Sequence, residues 1–413
     1  RLSHPVIATI GTLDTKGAEI DYARKRIQEL GGRALVIDTG VLGEPGCEAD
    51  IPREEVARAA GRELAEVQNA GSRGAAVEIM QEGLRKLLTD LYGRGEVHGA
   101  LCLGGAEGAL IGAAAMQALP IGVPKVIVSP SASGPRAFGP FMGRRDVMVM
   151  HSVIDILGIN SISQAVFDNA VAAVLGMARE GSEPVVALGG QTVGVTMLGQ
   201  TTPGTMAAYP LLEEAGWAPV IFHANGVGGP AMEDLIEAES LRGVIEFSIS
   251  ELANSIHGGV HATDERRLTV AAKHGLPQVI TLGCADFFNQ GPLDTLPERW
   301  RQRQHYKHNP VATLVRLSRD EMVELGRMIA GRLAGAKGPT VVVAPTRGYS
   351  LIDVEGGPLW DHEADMALIE TLEAELPSTI PVERVDLPVN DPEFGRYVAR
   401  RFIELAGDAA SGS

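Results

Sequence analysis

The chain contains 413 residues, of which 45% are hydrophobic, 21% are charged and only 4% are aromatic. At about 150 residues per domain this length predicts two or three domains, and the apolar content excludes an intrinsically disordered chain. With 36 basic and 52 acidic residues the net charge is −16, which disfavours a binder of nucleic acid or of an anionic membrane.

Short β-branched runs alternate with helical patterns through the first half of the chain. The predicted strands are Val6–Ile10, Ala34–Asp38, Gly99–Leu103, Lys125–Ser129 and Val147–Met150. Apolar residues recur at helical spacing between them, as at Ile20, Ala23 and Ile27. Strands separated by helices pair in parallel through right-handed crossovers, so this half is predicted to form a doubly wound sheet, closed by a helix over 163–180.

The same alternation restarts after the polar segment Gly181–Pro184, which is the best candidate for a linker. The predicted strands here are Val185–Leu188, Pro219–Phe222, Val244–Phe247, Gln278–Leu282 and Thr340–Ala344. Ser318, with Glu321 three residues later, predicts a capping box at the start of a helix. The polar stretch Trp300–His308 is predicted to be a long loop or an exposed helix.

These patterns predict an α/β fold of two Rossmann-like domains with mainly parallel sheets, at residues 1–180 and 185–413, and a ligand cleft between them. The three cysteines are far apart and form no CxxC pair, which favours a reducing compartment over a disulfide framework. No segment has the layout of a signal peptide or of an uninterrupted membrane span. A cytoplasmic location without a membrane partner is therefore expected.

The loops that follow the strands are the expected ligand site, because ligands of parallel sheets bind beyond the carboxyl ends of the strands. The first such loop runs from Gly11 to Gly17, where Thr12, Thr15 and Lys16 are candidates to hold phosphate oxygens through hydroxyls, the ammonium and backbone N–H groups, with Gly17 as a further candidate contact. Asp14 is a candidate to face Mg²⁺ or to cap the helix. The spacing is not that of a Walker A loop, and an ordinary helix start with a solvated Lys16 is the alternative.

The ends of the later strands also carry residues that suit ligand binding. Asp38 is placed to bind a ribose hydroxyl or to form a turn. Glycine loops let a ligand approach the backbone closely, and hydroxyls add hydrogen bonds, so five further residues are candidate ligand contacts: Gly104, Gly105, Ser129, Ser133 and Gly134. Successive strand ends that carry Gly, Ser, Thr or Asp are a stronger indication than any one of them.

In the second half, histidines are the candidates for catalysis. His223 follows a strand and precedes a glycine loop and Glu233, and His308 lies in a polar cluster, so these three side chains are candidates for general acid and base roles. A structural, hydrogen-bonded histidine is the alternative at His223. The His257 and His261 spacing suits zinc in principle, but zinc is disfavoured because no HExxH helix is present.

Taken in order, the motifs resemble a family named after the tomato mosaic virus resistance protein. The matching segments are GTLDTKG at 11–17, LPIGVPKVIVS at 119–129, SVIDILGIN at 152–160, FHANGVGGPAME at 222–233 and HNPVATLVR at 308–316. The resemblance implies two α/β domains, ATP held with Mg²⁺ at the strand ends of the first domain, and a homodimer. It also implies that the plant member obstructs a viral replication protein, whereas bacterial relatives mostly have no assigned reaction.

The chain departs from that family pattern in two loops. A Gly-Gly-x-Gly-Gly-Thr loop becomes Gly104-Gly-Ala-Glu-Gly-Ala109 here, which puts the acidic Glu107 beside the expected phosphate. A second loop reads Ser129-Pro-Ser-Ala-Ser-Gly-Pro135, which loses an N–H donor, a hydroxyl and a carboxylate. Both departures weaken the expectation of triphosphate binding.

We therefore expect a small-molecule metabolic enzyme that binds a nucleotide or another phosphorylated or acidic ligand in its first domain and acts on substrate in the interdomain cleft. One alternative is a nucleotide-independent hydrolase, lyase or isomerase that uses the histidines as general acid and base. The other is a non-catalytic, ATP-binding regulatory module.

Overall fold

The computed structural model describes residues 2–132, 139–185 and 188–411 of the chain. Its contacts divide into two compact units, residues 1–186 and 187–413. Two of the predicted ligand residues, Ser133 and Gly134, lie outside the described residues.

The first unit is built on a parallel sheet flanked by helices. Its strands are β1 (Val6–Gly11), β2 (Arg33–Asp38), β3 (Gly99–Leu103), β4 (Lys125–Ser129) and β5 (Met148–His151). Its helices are α1 (Leu13–Glu29), α2 (Arg53–Ala59), α3 (Leu64–Gln68), α4 (Arg73–Gly93), α5 (Ala106–Met116), α6 (Gly139–Met142) and α7 (Ser161–Glu180). The order across the sheet is β2-β1-β3-β4-β5, so the winding reverses between β1 and β3.

Both faces of this sheet are buried, because helices cover each of them. On one face, Ile10 packs in a cluster with Leu84 of α4. On the other face, Ile7 belongs to a cluster with Phe167 of α7. Side chains on the two faces of one strand therefore pack in two separate hydrophobic clusters. This explains why the strands are runs of apolar residues without polar alternation.

Helix α7 is apolar enough to need separate mention. Among the described residues it is the one helix whose length and composition would allow it to cross a membrane. Its buried side chains, Phe167, Val171 and Leu175 among them, pack in the core with residues of α1 such as Ile20. The hydrophobic face of α7 is thus used inside the first unit.

The second unit repeats this architecture around a second parallel sheet. Its strands are β6 (Thr192–Met197), β7 (Ala218–His223), β8 (Gly243–Glu246), β9 (Gln278–Thr281), β10 (Phe287–Gln290), β11 (His305–Asn309), β12 (Ala312–Arg316), β13 (Thr340–Pro345) and β14 (Val382–Val385). Its helices are α8 (Thr202–Glu214), α9 (Gly228–Glu237), α10 (Ser250–Ser255), α11 (Val270–His274), α12 (Glu298–Arg301), α13 (Arg319–Leu333), α14 (His362–Glu375) and α15 (Pro392–Ser411).

The main sheet has the order β14-β13-β9-β8-β6-β7, and the small antiparallel sheet has the order β10-β12-β11. Every pairing in the main sheet is parallel. The prediction of two Rossmann-like domains with mainly parallel sheets is therefore confirmed. The capping box of Ser318 and Glu321 at the start of α13 is also present.

Two local predictions differ from the structure. Within the predicted strand over 185–188, Val185 makes only an isolated bridge to Ile121, Val186 and Ala187 lie outside the described residues, and the first strand of the second unit is β6. The stretch over 300–308 is not one loop or helix, because β11 pairs with β12 in a hairpin. Its polar residues fit an exposed hairpin strand as well as they fit a loop.

An aromatic cluster in the second unit surrounds Trp300. Its ring centroid lies 5.0 Å from that of Phe288 and 4.8 Å from that of His257. The guanidinium of Arg303 lies 4.8 Å from the Trp300 centroid, within range of a cation–π contact. All tryptophans of the chain belong to this unit: Trp217, Trp300 and Trp360.

Candidate functional site

A cavity of about 920 Å³ opens in the first unit at the carboxyl ends of β1, β2 and β3. Thr12, Thr39 and Gly105, which follow these strands, all line it. The cavity therefore lies where the winding of the sheet reverses, the usual place for a ligand in a doubly wound sheet. Its volume lies within the range of small-molecule sites, about 300–1,000 Å³.

Helices α1, α4 and α5 begin at this cavity, since its lining includes Thr12 with 14–16, Ser72 with Arg73, and 105–108. Ser72 caps α4. The N-cap residues of α1 and α5, Thr12 and Gly105, make no side-chain cap hydrogen bond, although the N–H of Leu13 in α1 donates to Asp38 Oδ1. Unpaired N–H groups and the positive end of the helix dipole attract anions. These helix starts would favour a negatively charged group in the cavity.

The loop before α1 adds polar side chains to this end of the cavity. The Thr12 and Thr15 hydroxyl oxygens lie 2.7 Å apart, and Lys16 contributes a full positive charge. Asp14 is already engaged, because its Oδ2 accepts hydrogen bonds from the backbone N–H groups of Leu42 and Gly43 at 3.0 and 3.1 Å. Asp14 thus orders the loop after β2 around the ligand space.

Thr39 supplies a second indication of a ligand. Its side chain is 0% exposed and lines the cavity, and its Oγ1 has no hydrogen-bond partner among the described residues. A buried hydroxyl without a partner costs about 1–3 kcal/mol. A ligand oxygen or nitrogen in the cavity would remove that cost.

Another part of the cavity lining, called here the apolar wall, consists of apolar side chains. Leu42 lines it although 74% of its surface is exposed. The other apolar lining residues are Val41, Val67, Ala76, Val77 and Ile111. A ligand with one anionic end and one flat apolar part would match both walls.

Arg73 and Glu107 form an ion pair at the edge of this cavity. Arg73 Nε donates to Glu107 Oε2 at 2.5 Å, which joins the start of α4 to the first turn of α5. The side chains are 73% and 44% exposed. The acidic residue that departs from the family pattern therefore has its own cationic partner.

Two predicted ligand residues, Asp38 and Ser129, have backbone partners and are not among the described residues that line the cavity. Asp38 Oδ1 accepts from the N–H groups of Leu13 and Gly40 at 3.0 and 2.8 Å, and burial raises the pKa of this carboxyl. Ser129 is fully buried, and its Oγ accepts from Ser131 N at 3.1 Å. Both side chains fix the loops that follow their strands.

Gly17 and Gly104 are likewise not among the described lining residues, whereas Gly105 is. A Cβ at Gly17 would lie 2.7 Å from the Cα of Gly46, and a Cβ at Gly104 would lie 2.6 Å from Ala109 N. Both glycines therefore allow close approach of backbone to backbone. The predicted glycine loop contributes to the cavity through Gly105 and the residues after it.

In the second unit, two of the predicted catalytic residues, His223 and His308, influence the pKa of a third histidine, His261. His223 ends β7, His308 lies in β11, and both side chains are exposed. Burial, followed by the electrostatic influence of His223 and His308, lowers the pKa of His261 to about 4. His261 Nδ1 is buried and has no hydrogen-bond partner among the described residues.

Glu233, the third predicted catalytic residue, lies inside the second unit. Its side chain is 2% exposed, its Oε1 accepts from Leu268 N at 2.6 Å, and it lies 3.6 Å from Arg267 Nη1. Burial raises the pKa of Glu233 to about 7, against the attraction of Arg267. The structure assigns Glu233 to a buried ion-pair network.

His257 does not join His261 as a pair of ligands. Its Nε2 lies 2.6 Å from Glu321 Oε1, and Arg303 binds the same carboxylate. Burial raises the pKa of Glu321, but the hydrogen bonds from Arg303, from the N–H of Ser318 and from His257 together outweigh it, and the pKa falls to about 2. Across the described part of the chain, no three His, Cys, Asp or Glu side chains are arranged to hold a metal ion.

Several cavity residues were missed by the sequence interpretation, including Thr39, Ser72 and Arg73. Ser72 could have been found, because a serine directly before a helical pattern is a common N-cap and therefore marks a helix start. Arg73 could not, because its approach to Glu107 depends on how α4 packs beside α5.

Comparisons with known proteins match nearly the whole chain. A family model described as "Uncharacterised protein family (UPF0261) N-terminal domain" matches residues 5–183, and the corresponding C-terminal domain model matches residues 190–406. A UPF0261 protein from Clostridium tetani is 36% identical over 97% of this chain and 98% of its own length. Another, from Rhizobium meliloti, is 36% identical over 97% of this chain and 99% of its own.

The plant proteins that match are longer. The ToMV resistance protein Tm-1(GCR237) of Solanum lycopersicum is 35% identical over 82% of this chain, but the match covers only 45% of the plant protein. The ToMV susceptible protein tm-1(GCR26) of the same species is 32% identical over 97% of this chain and 56% of its own length.

Proposed function

The chain belongs to the UPF0261 family, and we propose that it binds an anionic, nucleotide-like small molecule in the cavity of its first unit. The observation that carries the proposal is the meeting of the α1 and α5 starts with Lys16 at one end of the cavity. Backbone N–H groups, a lysine and hydroxyls are the donors that proteins use for phosphate.

A nucleotide suits both walls of the cavity. Its phosphate would bind at Thr12, Thr15 and Lys16, and its base would pack against the apolar wall that includes Val41 and Ile111. The unpartnered hydroxyl of Thr39 offers a further contact to the ligand. ATP is the nucleotide that the family resemblance implies.

Magnesium would reach this site together with the phosphate. Mg²⁺ in such sites is commonly held by one or two carboxylates and by phosphate oxygens, and it neutralises phosphate charge. Asp14 is the carboxylate at the phosphate end of the cavity, and one of its oxygens already orders Leu42 and Gly43. The remaining oxygen is the one that could face the ion.

Calorimetric titration with nucleotides in the presence of Mg²⁺ tests the proposal. Lys16→Ala should weaken binding about 10–100-fold, because a charge-assisted hydrogen bond contributes about 1.5–3 kcal/mol. Lys25→Ala is the matched control, since Lys25 lies on the same helix, is 69% exposed and pairs with Asp21. An absence of heat at millimolar nucleotide, or equal weakening by both variants, would refute the proposal.

A second candidate function is general acid–base catalysis in the second unit. It is supported by the electrostatic influence of His223 and His308 on His261 and by the buried Nδ1 of His261, which has no partner among the described residues. A histidine that is neutral at physiological pH can accept a proton, while an exposed one can exchange protons with water.

Hydrolysis of p-nitrophenyl acetate provides a simple test of that candidate. His223→Gln and His308→Gln should each lower the rate about 100-fold if these side chains transfer protons. His274→Gln, at the end of α11, is the control and should leave the rate unchanged. Equal rates in all variants would refute the acid–base proposal.

A further inference from the structure

We propose that Glu107, paired with Arg73, sets the charge that the cavity accepts, so that the cavity selects ligands with a single phosphate over triphosphates. This inference rests on the proposed binding function and names its ligand class. The ligand would place its one phosphate at the start of α1 and an uncharged, hydroxyl-bearing part, such as a ribose, at the start of α5.

The argument begins with the position of Glu107. It is the second residue of α5 and lies in the first turn, where the helix dipole favours a negative charge. Its carboxylate therefore takes the role that a phosphate would otherwise take at this helix start. A phosphate brought to the same place would face a like charge at short range, which opposes binding.

Arg73 reduces this repulsion but, as part of the ion pair, adds no net positive charge to the cavity. Its Nε is engaged with Glu107 at 2.5 Å, so its positive charge is largely balanced before a ligand arrives. Of the charged residues that line the cavity, Lys16 and Arg73 are positive and Asp14 and Glu107 are negative. The lining side chains thus carry no net charge, which suits a ligand of low charge.

The starts of α1 and α5 are in contact, so one small ligand can reach both. A Cβ at Gly108 of α5 would lie 3.6 Å from Thr12 Cγ2, directly before α1. A phosphate at Thr12, Thr15 and Lys16 would therefore leave its sugar near Glu107. A carboxylate accepts hydrogen bonds from the hydroxyls of a ribose, as acidic residues do in dinucleotide-binding folds.

The buried hydroxyl of Thr39 is an independent sign that this space holds a ligand. The side chain is fully buried, lines the cavity and is unpartnered among the described residues. Because it follows β2, it faces the ligand from a different strand than Thr12 and Gly105. A mononucleotide that reaches Thr39 as well as the starts of α1 and α5 would extend across the ends of all three strands.

Calorimetry with AMP, ADP and ATP, each with Mg²⁺, tests the selectivity. The unmodified protein should bind AMP at least about tenfold more tightly than ATP, the size of one partly screened charge interaction. Glu107→Gln keeps the size of the side chain and should raise ATP affinity about tenfold while AMP affinity changes less than about threefold. Glu78→Gln, an exposed residue of α4 outside the lining, should change neither.

Arg73→Gln provides a second variant with the opposite prediction, because it leaves the charge of Glu107 unbalanced. ATP affinity should then fall further than AMP affinity. ATP binding as tight as AMP binding, or an unchanged ratio in Glu107→Gln, would overturn the selectivity proposal. If binding still depends on Lys16 in that case, the proposed function stands; if no nucleotide binds, both proposals fail.

Discussion

Arg267 binds Glu246 through both of its terminal nitrogens, each 2.6 Å from one carboxylate oxygen, and both side chains are buried. Arg267 Nε also binds Glu251 Oε2 at 2.5 Å. Glu251 Oε1 in turn accepts from the N–H groups of Gly226 and Gly229, in the loop after β7 and at the start of α9. One guanidinium thus holds several elements of the second unit together.

Removal of that guanidinium should be strongly destabilising. Arg267→Met leaves buried carboxylates without a cation, so the free energy of unfolding should fall by about 3–5 kcal/mol. Urea denaturation followed by circular dichroism measures the loss. Arg266→Met is the control, because Arg266 is 45% exposed and pairs with Glu237 at the surface, and it should change stability by less than about 1 kcal/mol. Similar losses in both variants would contradict the role given to Arg267.

The stability of the second unit should depend on pH through Asp286. Burial, followed by the nearby charge of Asp353, raises the pKa of Asp286 from 3.8 to about 8. Between these values the folded protein holds a proton that the unfolded chain has lost, so this residue lowers stability as the pH rises. The difference between wild type and Asp286→Asn, measured by urea denaturation, should move in favour of the variant by up to about 1.4 kcal/mol per pH unit.

The control for that titration is Asp294→Asn, an exposed carboxylate in the same unit. Its difference from wild type should stay constant from about pH 4 to pH 8. A constant difference for Asp286→Asn would show that the Asp286 carboxyl titrates at an ordinary pKa in the folded protein.

Two glycines of α13 should respond oppositely to alanine. A Cβ at Gly326 would lie 2.8 Å from the Cβ and Cγ2 of Thr371 in α14, so Gly326→Ala should lower the free energy of unfolding by about 1–3 kcal/mol. No described atom lies within 4 Å of a Cβ at Gly331, so Gly331→Ala should raise it by about 0.5–1 kcal/mol. Thermal unfolding compares the two. A gain from Gly326→Ala would mean that α13 and α14 pack less tightly than described.

Thr39→Val should separate ligand binding from stability. The substitution keeps the shape and removes an unpartnered buried hydroxyl, so the ligand-free protein should be as stable as wild type or slightly more stable. Nucleotide affinity should fall about 2–10-fold. Thr9→Val is the matched control, because the buried Thr9 hydroxyl donates to Ile7 O at 3.1 Å and its loss should cost about 1 kcal/mol without an effect on affinity. A stability loss in Thr39→Val would indicate that its hydroxyl has a partner within the protein.

The parallel sheets could be predicted because their strands are apolar on both faces. Val341, Val342 and Val343 of β13 are all fully buried, and such runs are recognisable without a partner strand. The β11–β12 hairpin could not be predicted with the same rule, because β11 is polar and largely exposed. Its strand conformation depends on pairing with β12, and that pairing is a tertiary property.

The candidate site was predictable to the extent that it consists of strand ends. Asp14, Thr15, Lys16 and Gly105 line the cavity because carboxyl ends of parallel strands meet at one edge. The ion pair of Arg73 and Glu107 joins residues 34 positions apart, on two helices whose relative placement no local pattern determines. The sequence therefore indicated that Glu107 opposes phosphate binding, but it did not predict that Arg73 pairs with this carboxylate.

The location of the tryptophans has a practical consequence. Because Trp217, Trp300 and Trp360 all belong to the second unit, indole fluorescence originates from that unit alone. An unfolding curve recorded by tryptophan emission would therefore report on the second unit only. Because the first unit contains no tryptophan, this emission would not report directly on a ligand that binds in its cavity. Tyr22→Trp, in the α1 helix and 6.2 Å from the ring of Phe167, would give the first unit a reporter of its own.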